Sequence, residues 1–267
     1  MVRAAIAGIA GRMGSRIAQL IRESDGIELA GGFEQPQHPK VGCEIAEIIG
    51  GARTGIQVSG GMDDVLGHAD VVIDFTLAAA SLEHLKLASS AGKPMVIGST
   101  GFSADQLAQA RELATRVPCV IAPNMSMGVN VLFKVVADVA RLLGEGYDIE
   151  IVEAHHRFKK DAPSGTALKL AQVAAEAVQR NLDEVGVYAR HGLIGERTAK
   201  EIGVQTLRAG DIVGEHTVMF CSLGERIELT HRAHSRDNFA RGAIRAATWI
   251  IRQPPGLYDM QHVLGIK

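Results

Sequence analysis

The stretch that decides the fold reads Ala7-Gly8-Ile9-Ala10-Gly11-Arg12-Met13-Gly14. It follows an apolar run, Val2–Ala7, that is typical of a buried strand, and it opens a stretch with apolar residues at helical spacing. Glycines 8, 11 and 14 form a variant of the G-x-G-x-x-G pattern in which Ala10 replaces the second glycine. The pattern predicts a tight strand-to-helix turn that binds a pyrophosphate, although an ordinary tight turn would use the same residues.

An acidic residue follows the predicted second strand, Ile27–Phe33. Glu34 lies about 20 residues beyond Gly14, where an acid accepts hydrogen bonds from the adenosine ribose of a bound dinucleotide. The next residue, Gln35, cannot neutralise a 2′-phosphate, although Arg12 or Lys40 could compensate. We therefore expect NADH as the preferred cofactor, with NADPH as the alternative.

Short apolar runs and helical patterns continue to alternate up to Asn124. Strands are predicted at 71–75, 95–97 and 119–122 and helices at 77–91 and 104–115, which indicates a parallel sheet covered on both faces. The carboxyl ends of such strands meet at one edge, where ligands bind. The residues there that we expect to contact riboses and carboxamide, although turn formation alone would also explain them, are Phe75, Gly98, Ser99, Thr100, Ala122, Pro123, Asn124 and Met125.

The second half of the chain has a different order of predicted helices and strands. A helix is predicted at 127–143, a strand at 148–154, a helix at 166–179 and three strands at 202–207, 215–221 and 227–234. The fold class is therefore α/β, with a Rossmann-like dinucleotide-binding domain and a second α+β domain with an open mixed sheet. We assign residues 1–126 and 236–267 to the first domain and residues 127–235 to the second.

The richest polar segment runs from Glu153 to Thr166 and reads EAHHRFKKDAPSGT. Its histidines can transfer protons near neutral pH, and its Ser-Gly-Thr sequence predicts a helix start whose amides hold a carboxylate. These features indicate a cationic pocket for a small dianion with a proton donor beside it. Two other readings remain open, a solvated basic loop and a Ser164 that only caps a helix. Neighbouring residues of a strand point to opposite faces, so we predict no metal site at His155-His156.

Composition excludes several classes of protein. Lys and Arg number 28 against 30 Asp and Glu, and aromatic residues are 4% of the chain, so we expect no nucleic-acid partner. The N-terminus does not resemble a signal peptide, the longest uncharged run contains prolines, and the three cysteines form no C-x-x-C. We expect a cytoplasmic protein with no membrane partner.

Five segments together resemble the 4-hydroxy-tetrahydrodipicolinate reductase family, also called dihydrodipicolinate reductase, of bacterial lysine and diaminopimelate biosynthesis. The most specific is the segment at 153–167; the others lie at 8–14, 98–101, 124–130 and 208–216. The resemblance covers essentially the whole chain. It implies NAD(P)H-dependent reduction of a cyclic imine with two carboxylates, and a homotetramer built through the sheet of the second domain.

The resemblance also implies roles for individual residues. His155 and Lys159 match the family's proton-transferring residues, and His156, Gly165 and Thr166 match its substrate-binding positions. The positions that match its dinucleotide contacts are Gly8, Ile9, Ala10, Gly11, Arg12, Met13, Glu34, Gln35, Phe75, Gly98, Ser99, Thr100, Ala122, Pro123, Asn124 and Met125.

Four positions depart from the family pattern. Ser99 replaces a common threonine, Pro123 and Met125 replace a common alanine and phenylalanine, and Gln35 replaces the arginine of members that use NADPH well. Three alternatives remain open: another two-domain NAD(P)-dependent amino-acid dehydrogenase, an NAD-binding redox regulator, and a metal hydrolase that uses the histidine pair.

Overall fold

A computed structural model describes residues 1–266 and divides them into two compact units. The first unit contains Met1–Met127 and the segment that begins at Asp237, and the second contains Gly128–Arg236. The strands are β1 (Val2–Ala7), β2 (Ile27–Phe33), β3 (Val71–Asp74), β4 (Met95–Ile97), β5 (Pro118–Ile121), β6 (Asp148–His155), β7 (Gly186–Val187), β8 (Ile202–Arg208), β9 (Gly214–Ser222), β10 (Glu225–Ala233) and β11 (Gly256–Tyr258).

Helices connect most of these strands. They are α1 (Arg12–Arg22), α2 (Ala46–Ile49), α3 (Asp63–Leu66), α4 (Ala78–Ser90), α5 (Ala104–Leu113), α6 (Met127–Leu143), α7 (Gly165–Ala177), α8 (Leu182–Val185), α9 (Asp237–Ile250) and α10 (Met260–Leu264). None of the helices within residues 1–266 is long and apolar enough to cross a membrane.

The first unit is built on a six-stranded parallel sheet in the order β11-β5-β4-β3-β1-β2. Its central strands are mostly apolar, and both faces of the sheet are covered, one mainly by α1 and α9 and the other by α3, α4 and α5. The strand order reverses between β1 and β3, whose last residues, Ala7 and Asp74, are paired neighbours. Ligands bind at such a switch point in open α/β sheets.

The second unit is built on a five-stranded mixed sheet in the order β10-β9-β6-β8-β7. β6 runs parallel to β8 and antiparallel to β9, and α6 and α7 pack on one face of the sheet. The predicted fold class is confirmed in both units, including the mixed sheet.

Several predicted boundaries differ from the observed ones for local reasons. β3 ends at Asp74 rather than at Phe75, because the Asp74 carboxylate accepts hydrogen bonds from the Thr76 amide and hydroxyl and turns the chain. β6 continues to His155, one residue further than predicted, and α7 begins at Gly165 with Ser164 as its N-cap. The short elements α2, α3, α8, α10, β7 and β11 are not among the predicted ones.

The C-terminal segment completes the first unit. β11 adds a parallel strand beside β5, and α9 packs against α1, where Arg16 forms a bidentate ion pair with Asp237. Gly242 of α9 lies directly against the chain after β5, since a Cβ at this position would be 1.8 Å from the Met125 carbonyl oxygen. Only glycine allows this approach of helix to backbone.

We expect Gly242→Ala to lower the free energy of unfolding by about 1–3 kcal/mol, although alanine is the better helix former, because the added methyl group overlaps a carbonyl oxygen. Urea unfolding followed by circular dichroism measures the change. The control is Gly67→Ala, where nothing lies within 4 Å of the added Cβ and φ is −64°. This control should change stability by less than about 1 kcal/mol, and equal stability of the two variants would contradict the close contact.

Candidate active site

The glycine turn after β1 is shaped by contacts that a side chain would block. Gly8 has a φ of +65°, and a Cβ on Gly14 would be 2.1 Å from the Gly8 carbonyl oxygen. A Cβ on Gly11 would be 3.0 Å from the same oxygen. Helix α1 therefore begins against the end of β1, and its N-cap, Gly11, supplies no side chain to the first amides of the helix. This leaves a backbone cradle of the kind that binds a pyrophosphate.

Glu34 lies beside this cradle, as the sequence predicts. Its carboxylate accepts a hydrogen bond of 2.8 Å from the backbone amide of Ala10, the residue at the second glycine position of the pattern. The contact holds the acid at the mouth of the turn, while Gln35 is exposed. Arg12 is also exposed and Met13 is half-buried, whereas the side chain of Ile9 is fully buried in the core and leaves only its backbone to a ligand.

A hydrogen-bond network joins the ends of β3 and β4. The buried Asp74 carboxylate accepts hydrogen bonds from the Thr76 amide and hydroxyl and pairs with His84 Nδ1 at 2.7 Å. The hydroxyls of Ser81 and Ser99 are 2.7 Å apart, and the Thr76 hydroxyl lies 3.3 Å from Ser81. The predicted residue Ser99 is thus a buried member of a network rather than an isolated hydroxyl.

The remaining predicted residues follow the same edge of the sheet. A Cβ on Gly98 would be 2.3 Å from the Phe75 ring, so the two residues pack flat against each other. Thr100 and Pro123 are exposed, and Asn124 accepts a hydrogen bond from the Ser126 amide. Ala122 and Met125 are buried in the core, so only their backbone groups face the edge.

The second unit has a cluster of polar residues around the side chain of Glu153, which we call the Glu153 cluster. The Glu153 side chain is fully buried near the carboxyl end of β6. Burial opposes its ionisation, but hydrogen bonds from Arg208, His155 and the Ser164 amide lower its pKa to about 2. The members whose hydrogen bonds it accepts are His155, Ser164, Thr206 and Arg208.

His155 is the member of the cluster that can transfer a proton. Its Nδ1 is 2.6 Å from the Glu153 carboxylate, and its side chain is 12% exposed. Burial lowers the pKa of His155, and the positive charges of Lys159 and Arg208 lower it further, although Glu153 acts in the opposite direction. Together these effects favour the neutral ring, whose Nδ1 is engaged by Glu153.

His156 leaves the strand and begins a turn, in which its carbonyl accepts the Lys159 amide. β6 ends at His155, so the alternation of side chains along the strand does not extend to His156. His156 Nδ1 is buried without a hydrogen-bond partner. The Lys159 ammonium donates to Asp161 at 2.9 Å and is partly exposed.

The start of α7 is fixed to the Glu153 cluster through Ser164. Its amide donates to Glu153 at 2.9 Å, and its hydroxyl accepts the Ala167 amide as a helix cap. Gly165, the first residue of the helix, is exposed with open space around it, and Thr166 is half-buried. The structure therefore brings His155 and a helix start together around one carboxylate.

Four residues of this arrangement have no role in the sequence analysis. They are Glu153, Thr206, Arg208 and His216. His216 is buried, lies 3.1 Å from the Ser164 hydroxyl, and packs its ring edge against His155 at 5.2 Å. Burial, with a smaller contribution from His155, lowers the pKa of His216 to about 3. The pairing of β6 with β8 and β9 brings these residues together, and one sequence does not reveal that register.

No group of three or more His, Cys, Asp or Glu side chains in the described part of the chain is arranged to hold a metal ion. The cationic side chains near β6 are instead held by carboxylates. Arg208 forms a two-pronged ion pair with Glu153 at 2.8 and 2.9 Å, which neutralises both charges. Lys159 is held in the same way by Asp161 at 2.9 Å, although its ammonium is partly exposed.

Comparison with known proteins covers the chain almost from end to end. The family model described as "Dihydrodipicolinate reductase, N-terminus" matches residues 2–125, and the one described as "Dihydrodipicolinate reductase, C-terminus" matches residues 128–264. The chain is 75% identical to the 4-hydroxy-tetrahydrodipicolinate reductase of Syntrophobacter fumaroxidans and 58% identical to that of Syntrophus aciditrophicus. Both alignments span 100% of each chain.

Solved structures agree with this assignment. The dipicolinate-bound dihydrodipicolinate reductase from Paenisporosarcina sp. TG-14 is 26% identical, covers 97% of both chains and gives a TM-score of 0.77. An amine dehydrogenase from Mycobacterium smegmatis is 14% identical with a TM-score of 0.61, which shows a shared fold. Since both family models match and full-length relatives exceed half identity, this chain belongs to the dihydrodipicolinate reductase family.

Proposed function

We propose that this protein reduces 4-hydroxy-tetrahydrodipicolinate to tetrahydrodipicolinate with a reduced nicotinamide cofactor, as a step of diaminopimelate and lysine biosynthesis. The observation that carries the proposal is the Glu153 cluster, which joins a histidine able to transfer a proton to a helix start able to bind a carboxylate. The identity with full-length 4-hydroxy-tetrahydrodipicolinate reductases supports the same reaction.

The first unit, residues 1–126 and 236–267 in our assignment, binds the dinucleotide. Its glycine turn fits a pyrophosphate, because the close contacts of Gly8, Gly11 and Gly14 leave room for backbone but not for side chains. Glu34 accepts from the adenosine ribose, and the ends of β3, β4 and β5 hold the nicotinamide half. When bound, the cofactor supplies a hydride to carbon 4 of the substrate ring.

Residues of the second unit, 127–235 in our assignment, bind the substrate. The exposed start of α7 at Gly165 and Thr166 offers backbone amides to one carboxylate, and the helix dipole favours the negative charge there. Lys159 and His156 meet the second carboxylate. The partial exposure of Lys159 leaves its ammonium free to exchange Asp161 for a ligand.

His155 supplies the proton. Its Nδ1 is engaged by Glu153, so the proton moves from Nε2 to the 4-hydroxyl group, which leaves as water. The two carboxylates of a bound substrate raise the pKa of His155 and oppose the effect of burial. Lys159, close enough to influence the charge of His155, helps to hold and deliver the proton.

We further propose NADH as the preferred cofactor. The Glu34 carboxylate is fixed by the Ala10 amide beside the turn, where a 2′-phosphate would meet negative charge, and the following Gln35 adds no positive charge. We place the enzyme in the cytoplasm and expect a homotetramer that forms through the sheet of the second unit.

Coupled turnover tests the function directly. Aspartate semialdehyde, pyruvate and the synthase that condenses them generate the substrate, and oxidation of the reduced nicotinamide is followed by absorbance. Turnover that requires all three components supports the proposal. No turnover with either nicotinamide, alongside activity with an amino acid and oxidised cofactor, would replace the proposed function by that of an amino-acid dehydrogenase.

The same assay tests cofactor preference. We expect a lower KM for NADH than for NADPH, because Glu34 repels a 2′-phosphate and accepts from a 2′-hydroxyl. Initial rates over a range of each cofactor at saturating substrate give both constants. A kcat/KM that favours NADPH by tenfold or more would contradict the preference.

We expect His155→Gln to lower kcat by about 100- to 10,000-fold, the range of general acid catalysis, because glutamine cannot give up a proton. Binding of NADH, measured by fluorescence titration, should be unchanged. The matched control is His191→Gln, an exposed histidine elsewhere in the second unit that should keep full activity. Loss of NADH affinity at an unchanged kcat would show that the role of His155 is misassigned.

We expect Lys159→Ala to lower kcat/KM for the substrate by about 10- to 100-fold, with changes in both kcat and KM, because a charged hydrogen bond is lost. Lys160→Ala is the matched control, since this neighbouring lysine is exposed and should leave the kinetics unchanged. Steady-state rates against substrate concentration separate the two variants. If the kinetics of Lys159→Ala were identical to those of wild type, Lys159 would be an ordinary residue of a solvated loop with no role in the reaction.

A further inference from the structure

Glu153 is a buried carboxylate, and the burial of its charge requires an explanation. Its side chain has no exposure to solvent, and a buried charge is unfavourable unless ion pairs and hydrogen bonds surround it. Arg208 alone neutralises it, with two guanidinium hydrogen bonds of 2.8 and 2.9 Å. An ion pair of this kind is weak evidence for a purely stabilising role, because apolar residues could fill the same volume.

The other hydrogen bonds of the carboxylate point to its role. One oxygen accepts from His155 Nδ1 at 2.6 Å, and the other accepts from the Ser164 amide at 2.9 Å. A carboxylate can only accept, so the hydrogen of the neutral His155 ring stays on Nδ1 and the lone pair stays on Nε2. The same group therefore fixes which nitrogen of His155 is free to act.

Glu153 also fixes the start of α7, through Ser164. Its hydroxyl caps α7 through the Ala167 amide, while its own amide is held by Glu153. The position of Gly165 and Thr166 is thereby tied to the position of the His155 ring. Both groups that the proposed reaction needs in the second unit, the proton donor and the carboxylate-binding helix start, depend on one side chain.

We propose that Glu153 is a positioning residue that fixes the tautomer and orientation of His155 and, through Ser164, the start of α7. The inference rests on the proposed function and deepens it, because it names the group that couples proton transfer to substrate binding. Arg208 supports Glu153, since its guanidinium also donates to the Asp161 carbonyl and ties the loop after β6 to the same carboxylate.

The charges around His155 predict the direction of a pH shift. Glu153 faces it from its own strand and raises its pKa, whereas Lys159 from the following loop and Arg208 from β8 lower it. His216 from β9 lies against the ring and is itself neutral at pH 7. Replacing the Glu153 carboxylate by a neutral amide removes the group that raises the pKa, so His155 loses its proton at lower pH.

The test compares Glu153→Gln with wild-type enzyme in the coupled assay. We expect kcat to fall about 10- to 100-fold, the usual effect of removing a group that orients a reactive residue, and the substrate KM to rise. The fall of kcat with rising pH should begin at lower pH, and the Kd for NADH should be unchanged. The proposal would be overturned if kcat and KM of Glu153→Gln were within twofold of wild type and the pH dependence of kcat were unchanged.

Two further variants separate positioning from simple ion pairing. Glu150→Gln is the matched control, because Glu150 lies on the same strand and pairs with Arg190 and Arg197. It should leave kcat and the pH profile unchanged. The double variant Glu153→Gln with Arg208→Gln removes both buried charges together. If Glu153 served only to pair Arg208, activity would recover in the double variant; we expect it to stay low.

Nitrogen NMR of histidine-labelled wild-type enzyme provides a measurement that needs no variant of Glu153. The His155 resonances, assigned by their loss in His155→Gln, should show a hydrogen on Nδ1 near neutral pH. A hydrogen on Nε2 instead would overturn the proposal even if Glu153→Gln failed to fold. Because this spectrum is independent of turnover, absence of reductase activity in the wild type would count against the proposed function and leave the tautomer result intact.

Discussion

The second unit is organised around a charge that has no access to water. A buried carboxylate must find every one of its partners inside the protein, and Glu153 takes them from three directions: its own strand, β8 and the start of α7. Each partner is therefore fixed in distance and angle by the same oxygen atoms. The mixed sheet makes this possible, because β6 has β8 on one side and β9 on the other, and His216 approaches from the latter.

The first unit depends on the absence of side chains, whereas the second depends on side chains held in fixed positions. In the first unit, glycines allow helices to approach the ends of the strands. Gly14 brings the first turn of α1 onto the Gly8 carbonyl, and Gly242 does the same for α9 at Met125. Both contacts place helix backbone where a methyl group would collide. The parallel register then sets the ends of β1, β3, β4 and β5 along one line. In the function that we propose, this edge therefore presents backbone groups, more than side chains, to the dinucleotide.

Local signals in the sequence were sufficient for much of this fold. Buried parallel strands appear as short apolar runs, and α6 was predicted with its observed ends because seventeen residues of helical periodicity carry a strong signal. The capping box that Ser103 and Gln106 form at the start of α5 is likewise set by their three-residue spacing. The glycine turn and Glu34 were found in the same way, because their contacts are set by residues close in sequence or by one βαβ unit.

What could not be predicted depends on register and on distant backbone. β11 has three residues, all half-buried, and pairs with β5 without any apolar period that would mark it as a strand. Arg208 reaches Glu153 because β8 pairs with β6 in a specific register across about 50 residues of sequence. From sequence alone, Gly242 is a poor helix former within α9. Only the structure shows that the Met125 carbonyl lies against it and that glycine is required there.

The opposing effects on the pKa of His155 are compatible with the role of proton donor that we propose for it. Burial and the nearby cations favour the neutral ring. A substrate with two carboxylates changes that balance, because its negative charges favour the protonated ring at the moment a proton is needed. Glu153 is compatible with both states, since it accepts from Nδ1 whether or not Nε2 carries a proton. The ring can therefore gain and lose a proton at Nε2 without turning, which keeps the donor in place through a catalytic cycle.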